Sequence, residues 1–389
     1  MQICTRGGFI LHEIYLDNAA TTRVSESAAQ LALDIMREDY GNPSSLHSKG
    51  FKAMQAVKLA RSQIAGALGC WPDEITFTSG GTEANNLAIL GAAARHHRGG
   101  KTIITTAVEH SSVLEPICQL EKQGYTINII QPGSDGSVDI NEVAAAVNDD
   151  TLLVSCMMVN SETGAVNDIA GLARLVKRKN PSVLVHCDAV QGFGKIAFTM
   201  RQIPVDMLTV SSHKIHAPKG AGALFIRKGV RISPLMFGGG QEGSLRPGTE
   251  STPLICAFGH MAQELNTQRG ENLAKMNELA AYFRERAAGI SKICINSPQN
   301  GTPYIHNISV PGRRSQPMLN ALAEHGVYVS SGSACSKGKL SHVLLAMGLP
   351  RERVDSALRV SLCRDTTTNE LDKFFELLEA VTTQLAGTK

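Results

Sequence analysis

The sequence predicts an α/β protein: a large first domain built on a mostly parallel sheet covered by helices, and a smaller α+β domain after it. Three observations carry this. Between residue 42 and about residue 226, short apolar runs alternate with stretches whose apolar residues recur at helical spacing. Many of these runs lead straight into polar or glycine-rich residues, the punctuation of a strand entering a loop. After residue 232 the alternation stops, and an irregular glycine-rich stretch gives way to long helical segments with a few strand-like pieces.

Taken in order, Gly41-Asn42-Pro43-Ser44-Ser45 reads as a turn with a serine N-cap, after which Ala53, Val57, Ala60, Ile64 and Leu68 line one helical face. Strands are expected at 74–78, 102–106, 126–130, 152–157, 183–188, 207–211 and 223–226, with helices between several of them, including 82–95 and 169–179. Residues 234–252 are irregular, and one long helical segment is expected over 253–288. Further strands at 305–310, 327–330 and 358–362 and a C-terminal helix over 369–386 make up the smaller domain, which the N-terminal residues are expected to complete. No internal repeat or low-complexity tract interrupts the pattern.

Composition narrows the function. The 389 residues suit two domains with ample core, and 43% hydrophobic against 19% charged residues is the balance of a soluble globular protein. A net charge of +3, from 38 basic and 35 acidic residues, argues against nucleic acid or an anionic membrane as partner. No segment approaches the roughly 20 unbroken apolar residues that span a bilayer, and the short apolar patch Gly8-Phe9-Ile10-Leu11 is no signal peptide, so a cytoplasmic protein is expected. The nine cysteines show no framework spacing and no zinc pattern, so no metal is expected. Those in apolar runs, such as Cys156 and Cys187, read as buried, inert thiols.

In an open parallel sheet, ligands bind beyond the carboxyl ends of the strands. Ser79-Gly80-Gly81-Thr82-Glu83, Glu109-His110, Asn160, Asp188–Gln191 and Ser211–Lys214 all follow expected strands, and five unrelated segments converging on one edge indicate a site. The glycines of Ser79–Thr82 let backbone N–H groups approach an anion at a helix start, which suits a phosphate; a plain turn capped by Thr82 is the other reading. Lys214, directly after a buried strand and in a loop held by Pro218, Gly220 and Gly222, suits a nucleophile toward a carbonyl cofactor, or else a solvated lysine at a strand end. Asp188 ends an apolar run and needs a cation or strong donors; a protonated pyridine nitrogen would serve, as would a helix cap or ion pair. Gln191 could reach the same ligand, and His110 either stacks on an aromatic ring or is structural. Cys335 differs from the strand cysteines: small polar neighbours and Lys337 and Lys339 mark an accessible thiol that ionises readily.

Segments 15–22, 41–47, 79–86, 109–110, 159–164, 186–192, 212–222 and 330–335 together resemble the cysteine desulfurases, which belong to the fold-type I, class V aminotransferase-like pyridoxal-phosphate enzymes. The resemblance runs in order through almost the whole chain. It implies a mostly parallel seven-stranded sheet in a large cofactor-binding domain over 17–257, with 1–16 and 258–389 forming a small domain that carries the cysteine loop.

By this resemblance, Lys214 bonds the carbonyl of pyridoxal 5'-phosphate, Asp188 pairs with the pyridine nitrogen, Gln191 contacts the ring hydroxyl and His110 stacks on the ring and supplies a proton. Gly81, Thr82, Ser211 and His213 hold the phosphate, and Thr249 reaches the phosphate of a neighbouring subunit, which implies a homodimer. Asn160 and Arg359 bind the substrate carboxylate, a task that suits the two-pronged guanidinium, although a salt bridge also accounts for Arg359. The substrate implied is L-cysteine, and Cys335 takes its sulfur as a persulfide for an acceptor protein. The sequence Ser-Gly-Ser-Ala-Cys resembles the first of two desulfurase groups, with a slightly shorter stretch between Cys335 and His342 than in its best-known members. Iron–sulfur assembly, tRNA thiolation and other thio-cofactor synthesis all remain open as destinations. A selenocysteine lyase or a non-catalytic scaffold subunit is the alternative on the same fold.

Overall fold

The computed structural model describes residues 13–96, 100–332 and 340–385. They divide into two compact units, one of residues 21–160 and 166–271, the other of residues up to 20, 161–165 and from 272 on.

The larger unit is built on a seven-stranded sheet in the order Ile75–Thr78, Gly222–Ile226, Met207–Ser211, Leu184–Asp188, Thr151–Ser155, Thr102–Thr106, Thr126–Ile130. All pairings are parallel except those of Gly222–Ile226, which runs antiparallel to both neighbours. Six of the seven strands are buried nearly throughout, as in a sheet covered on both faces, and threonines share the buried positions with apolar residues in Ile75–Thr78 and Thr102–Thr106. The helix Gly81–Arg95 packs on this sheet through Ala84, Leu87, Ala88 and Ala92, which share one core cluster with Ile103, Leu153, Met207 and Leu224. Truncating Leu87 to alanine there would cost about 2–5 kcal/mol.

Two local expectations change. The helix Ser48–Leu68 buries Ala53, Val57, Ala60, Ile64 and Leu68 as the spacing requires, but its N-cap is His47, whose Nδ1 accepts the Gly50 N–H at 3.3 Å. Ser44 instead donates its backbone N–H to Asn42 Oδ1 in the preceding turn. The long segment over 253–288 is two helices, Thr252–Thr267 and Arg269–Ala288, because the chain leaves helical geometry at Gln268 (φ −90°, ψ 4°). The first of them belongs to the larger unit: Phe258 packs edge-on against Phe193, and Gly259 lies so close to Ala60 that a Cβ there would sit 2.6 Å from the Ala60 backbone. The division between the units therefore falls after residue 271 rather than after 257.

The smaller unit holds an antiparallel sheet of Ala357–Ser361, Ile305–Ser309 and Cys294–Ile295, and a parallel pairing of Ile14–Tyr15 with Val327–Tyr328. Its core is aromatic: Phe283 stacks on His306 at 4.4 Å and meets Phe375 at 5.1 Å. Among the described residues no helix is long and apolar enough to cross a membrane.

Candidate active site

The carboxyl ends of the parallel strands in the larger unit gather most of the expected site. Strand Ile75–Thr78 feeds the Gly81–Arg95 helix through Ser79 and Gly80, and no side chain caps that helix, so its first N–H groups are left for another acceptor. Gly81 is required by close approach: a Cβ there would meet Val190 Cγ2 at 2.9 Å and Ser211 Cβ at 3.6 Å. Ser211, at the end of the next strand but one, has a buried hydroxyl with no hydrogen-bond partner among the described residues. An uncapped helix start beside an orphaned hydroxyl is a fitting cradle for a phosphate. Thr82 stands exposed on the first turn of the same helix.

Glu83 braces this cradle. It accepts the Ser79 N–H at 2.8 Å and pairs with Arg246 at 2.8 Å. Burial works to raise its pKa, but the Arg246 and Ser79 hydrogen bonds prevail and hold the carboxyl below its ordinary range. Arg246 lies three residues before Thr249, which is exposed on a groove of about 300 Å³ lined by Met36, Tyr40, Asn42 and Pro253.

Strand Met207–Ser211 runs into a 3-10 turn, Ser212–Lys214. Thr21 and Thr22 strap that turn: Thr22 donates its N–H and hydroxyl to the His213 carbonyl, both at 3.0 Å, and Thr21 Oγ1 lies 3.2 Å from His213 Nδ1. His216 just beyond takes a left-handed conformation (φ 63°), held by its N–H to Thr22 Oγ1 at 2.8 Å. Burial first, then the charges of Lys214, Lys219 and Lys195, push His213 down to about 4, so it meets a ligand neutral. Lys214 is half-buried at the end of the turn.

The other end of the site centres on Asp188, 5% exposed at the end of its strand. Its Oδ1 accepts the Val190 N–H at 2.9 Å and its Oδ2 accepts Asn85 Nδ2 at 2.8 Å. Both partners are neutral, so neither brings a positive charge to the carboxylate. Gln191 Oε1 accepts from the buried Lys195 Nζ at 2.9 Å. His110 is the N-cap of Ser111–Lys122, its Nδ1 accepting the Ser112 N–H at 3.1 Å. Beside it, burial drives the fully enclosed Glu109 carboxyl up to about 8 despite hydrogen bonds from the Met157 N–H and Thr106 hydroxyl. Asn160 is fully buried, with Nδ2 donating to the Val108 carbonyl at 3.1 Å.

Arg359 belongs to the smaller unit, on the strand Ala357–Ser361 opposite Asn307. At 2% exposure it donates Nη1 to the Ser161 carbonyl at 3.0 Å and Nη2 to Asp17 at 2.9 Å, while Nε has no partner among the described residues. The salt-bridge reading of Arg359 is met by Asp17, and the same side chain keeps one further donor. Cys335 lies outside the described residues; the stems on either side are Gly332 (φ 141°) and Ser341, which donates to the buried Glu162 at 2.5 Å. Burial raises the thiols of Cys70, Cys156, Cys187, Cys256 and Cys363, which suits them to inert packing.

Sequence reasoning passed over Asn85, Ser112, Lys195 and Glu162. The available signal was a polar side chain at an apolar helical position: Asn85 sits between Ala84 and Leu87, both buried.

Comparison with known proteins agrees with this geometry. Residues 14–374 match the aminotransferase class-V family. Cysteine desulfurase 2 of Trichormus variabilis is 41% identical over 385 residues, spanning 96% of this chain and 94% of that protein. A solved NifS-like protein superposes with a TM-score of 0.92 at 36% identity, covering 96% of this chain and all of the other (100%). A structure described as SspA in complex with cysteine superposes with a TM-score of 0.81 at 30% identity, covering 92% of this chain and 100% of that one. The chain therefore belongs to the aminotransferase class-V family, among its cysteine desulfurases.

Proposed function

We propose that the protein is a pyridoxal-phosphate-dependent desulfurase that converts L-cysteine to L-alanine and stores the sulfur as a persulfide on Cys335. The observation that carries the reading is Asp188: a carboxylate buried at the sheet edge, held among the described residues by neutral N–H donors, on the same sheet as the phosphate cradle at Gly81 and Ser211. Bound pyridoxal phosphate supplies a ring that draws off negative charge from the substrate α-carbon. Asp188 holds the ring nitrogen protonated, and Gly81, Thr82, Ser211 and His213 take the phosphate. Lys214 Nζ would hold the cofactor's carbonyl, and as a free amine it would move the substrate α-proton. Arg359 would take the substrate carboxylate, its Nε, without a partner among the described residues, being a donor in hand, and Asn160 is proposed for the same ligand from the family resemblance. The Cys335 thiolate then attacks the substrate sulfur. A sulfur–sulfur bond forms, the carbon–sulfur bond breaks with its electron pair on carbon, and that carbon gains a proton to leave as L-alanine.

We read the enzyme as a homodimer. Met36, Tyr40, Leu46, Phe51 and Phe237 are 53%, 68%, 104%, 57% and 89% exposed, an apolar outlay that a second copy would cover. The exposed Thr249 beside Met36 and Tyr40 suits a hydroxyl offered across that interface. A thiol-rich sulfur carrier fits a reducing compartment, the cytoplasm. The test is alanine formation from L-cysteine by the pyridoxal-phosphate-loaded protein. The reading expects turnover in wild type and none in Lys214→Ala; equal alanine output from Lys214→Ala would overturn it.

A further inference from the structure

We propose that Asn85 and Ser112 are positioning residues for His110, holding its ring proton on Nε2 through a hydrogen-bond chain that begins at Asp188. The claim rests on the reading that this sheet edge is the reaction site, but the chain itself is defined by side chains alone. Asn85 is fully buried on the Gly81–Arg95 helix, and its Nδ2 lies 2.8 Å from Asp188 Oδ2 and 2.8 Å from Ser112 Oγ. A carboxylate only accepts, so the amide must turn its nitrogen toward Asp188. Its second N–H then falls on Ser112 Oγ. That hydroxyl accepts from Asn85 and keeps one proton to give, and because the Ser112 backbone N–H needs Nδ1 as an acceptor, that proton goes to His110 Nδ1, 2.8 Å away. The Ser112 backbone N–H points at the same nitrogen, at 3.1 Å.

Two donors aimed at Nδ1 leave it a lone pair and place the ring proton on Nε2. The orientation of Asn85 is imposed by Asp188 rather than by its own needs, since its Oδ1 is buried with no partner among the described residues. Helix capping alone would explain the backbone N–H on Nδ1. It would not require the Ser112 hydroxyl or the second Asn85 N–H. The consequence is a histidine whose proton traffic runs through Nε2 only, and whose tautomer is tied to the same carboxylate that reads the ring nitrogen.

The experiment is two-bond proton–nitrogen correlation of 15N-histidine holoenzyme, with the His110 signals assigned by their loss in His110→Asn. Wild type should show a protonated Nε2 and a bare Nδ1. Ser112→Ala should lower the Nε2-protonated fraction and cut kcat about tenfold, a modest share of an acid–base contribution, with KM nearly unchanged. Ser112→Thr, which keeps the hydroxyl, should restore both signals and rate. A proton on Nδ1 in wild type, or a His110 signal unmoved by Ser112→Ala, would overturn the proposal. A holoenzyme with the expected tautomer but no turnover of L-cysteine would support the chain and count against the desulfurase reading instead.

Discussion

Asp188 and Arg359 are both charged and almost wholly buried, yet they are kept in opposite ways. Asp188 is met by two neutral donors, the Val190 N–H and Asn85, so its charge remains uncancelled at the sheet edge. Arg359 is met by a carboxylate, Asp17, and by the Ser161 carbonyl, with Nε left without a partner among the described residues. Burying an isolated charge is expensive, so on the proposed function the carboxylate held by neutral groups is the one that would gain a cation. On the same proposal the paired arginine, its geometry already set, would take a further acceptor on its fork.

Mutations should separate the two. The largest effect expected is at Asp188: Asp188→Asn should lower turnover of L-cysteine by about a hundredfold or more, the scale of losing a preorganised electrostatic partner. An activity within threefold of wild type would show that the carboxylate serves packing alone. At Arg359 the guanidinium shape should matter more than the charge. Arg359→Lys is expected to lose about 2 kcal/mol of substrate recognition, roughly thirtyfold in kcat/KM, chiefly through KM. Unchanged KM in that variant would make the Asp17 pair its whole purpose.

Ser211→Ala should split binding from stability. Removing a buried hydroxyl that lacks a partner should stabilise the cofactor-free protein by about 1 kcal/mol while weakening pyridoxal phosphate binding about tenfold. Thermal melts of the two forms, with and without cofactor, would register both changes; loss of stability in the cofactor-free form would mean the hydroxyl is already satisfied.

A smaller effect is expected from pH. Glu109 titrates near 4.5 when unfolded and near 8 when buried, so its native state favours the protonated form. Its contribution to stability is therefore full below about 4.5 and is lost as pH rises through about 8. Denaturation midpoints should show wild type weakening over that window, and Glu109→Gln, which stays neutral, should flatten the decline. Identical slopes in the two proteins would contradict the burial argument.

Much of this was legible in the sequence because it rests on local signals. Strands such as Leu184–Asp188 and Gly222–Ile226 are largely apolar runs bounded by turns; Asp188 stands out by ending one, and Lys214 by following the strand Met207–Ser211 closely. What escaped depends on pairings far apart in the chain. Asn85 finds Asp188 across 103 residues, and no spacing rule announces that. Ser112 carries no sequence signal of its own, since its hydroxyl gains a role only where Asn85 and His110 meet. Residues 161–165 join the smaller unit although their neighbours on both sides lie in the larger one, which only tertiary packing decides. The break at Gln268 did leave a signal, the polar run 266–272 that interrupts the apolar spacing between Leu265 and Leu273, but helix-forming residues on both sides hid it.

The most direct test of the central claim is to mix the pyridoxal-phosphate-loaded protein with L-cysteine in the absence of reductant and locate the transferred sulfur by mass spectrometry of its peptides. The account predicts one extra sulfur atom on Cys335, formed together with an equal amount of L-alanine, and neither persulfide nor sustained sulfide release in Cys335→Ser. Persulfide on another cysteine, or undiminished sulfide from Cys335→Ser, would contradict it.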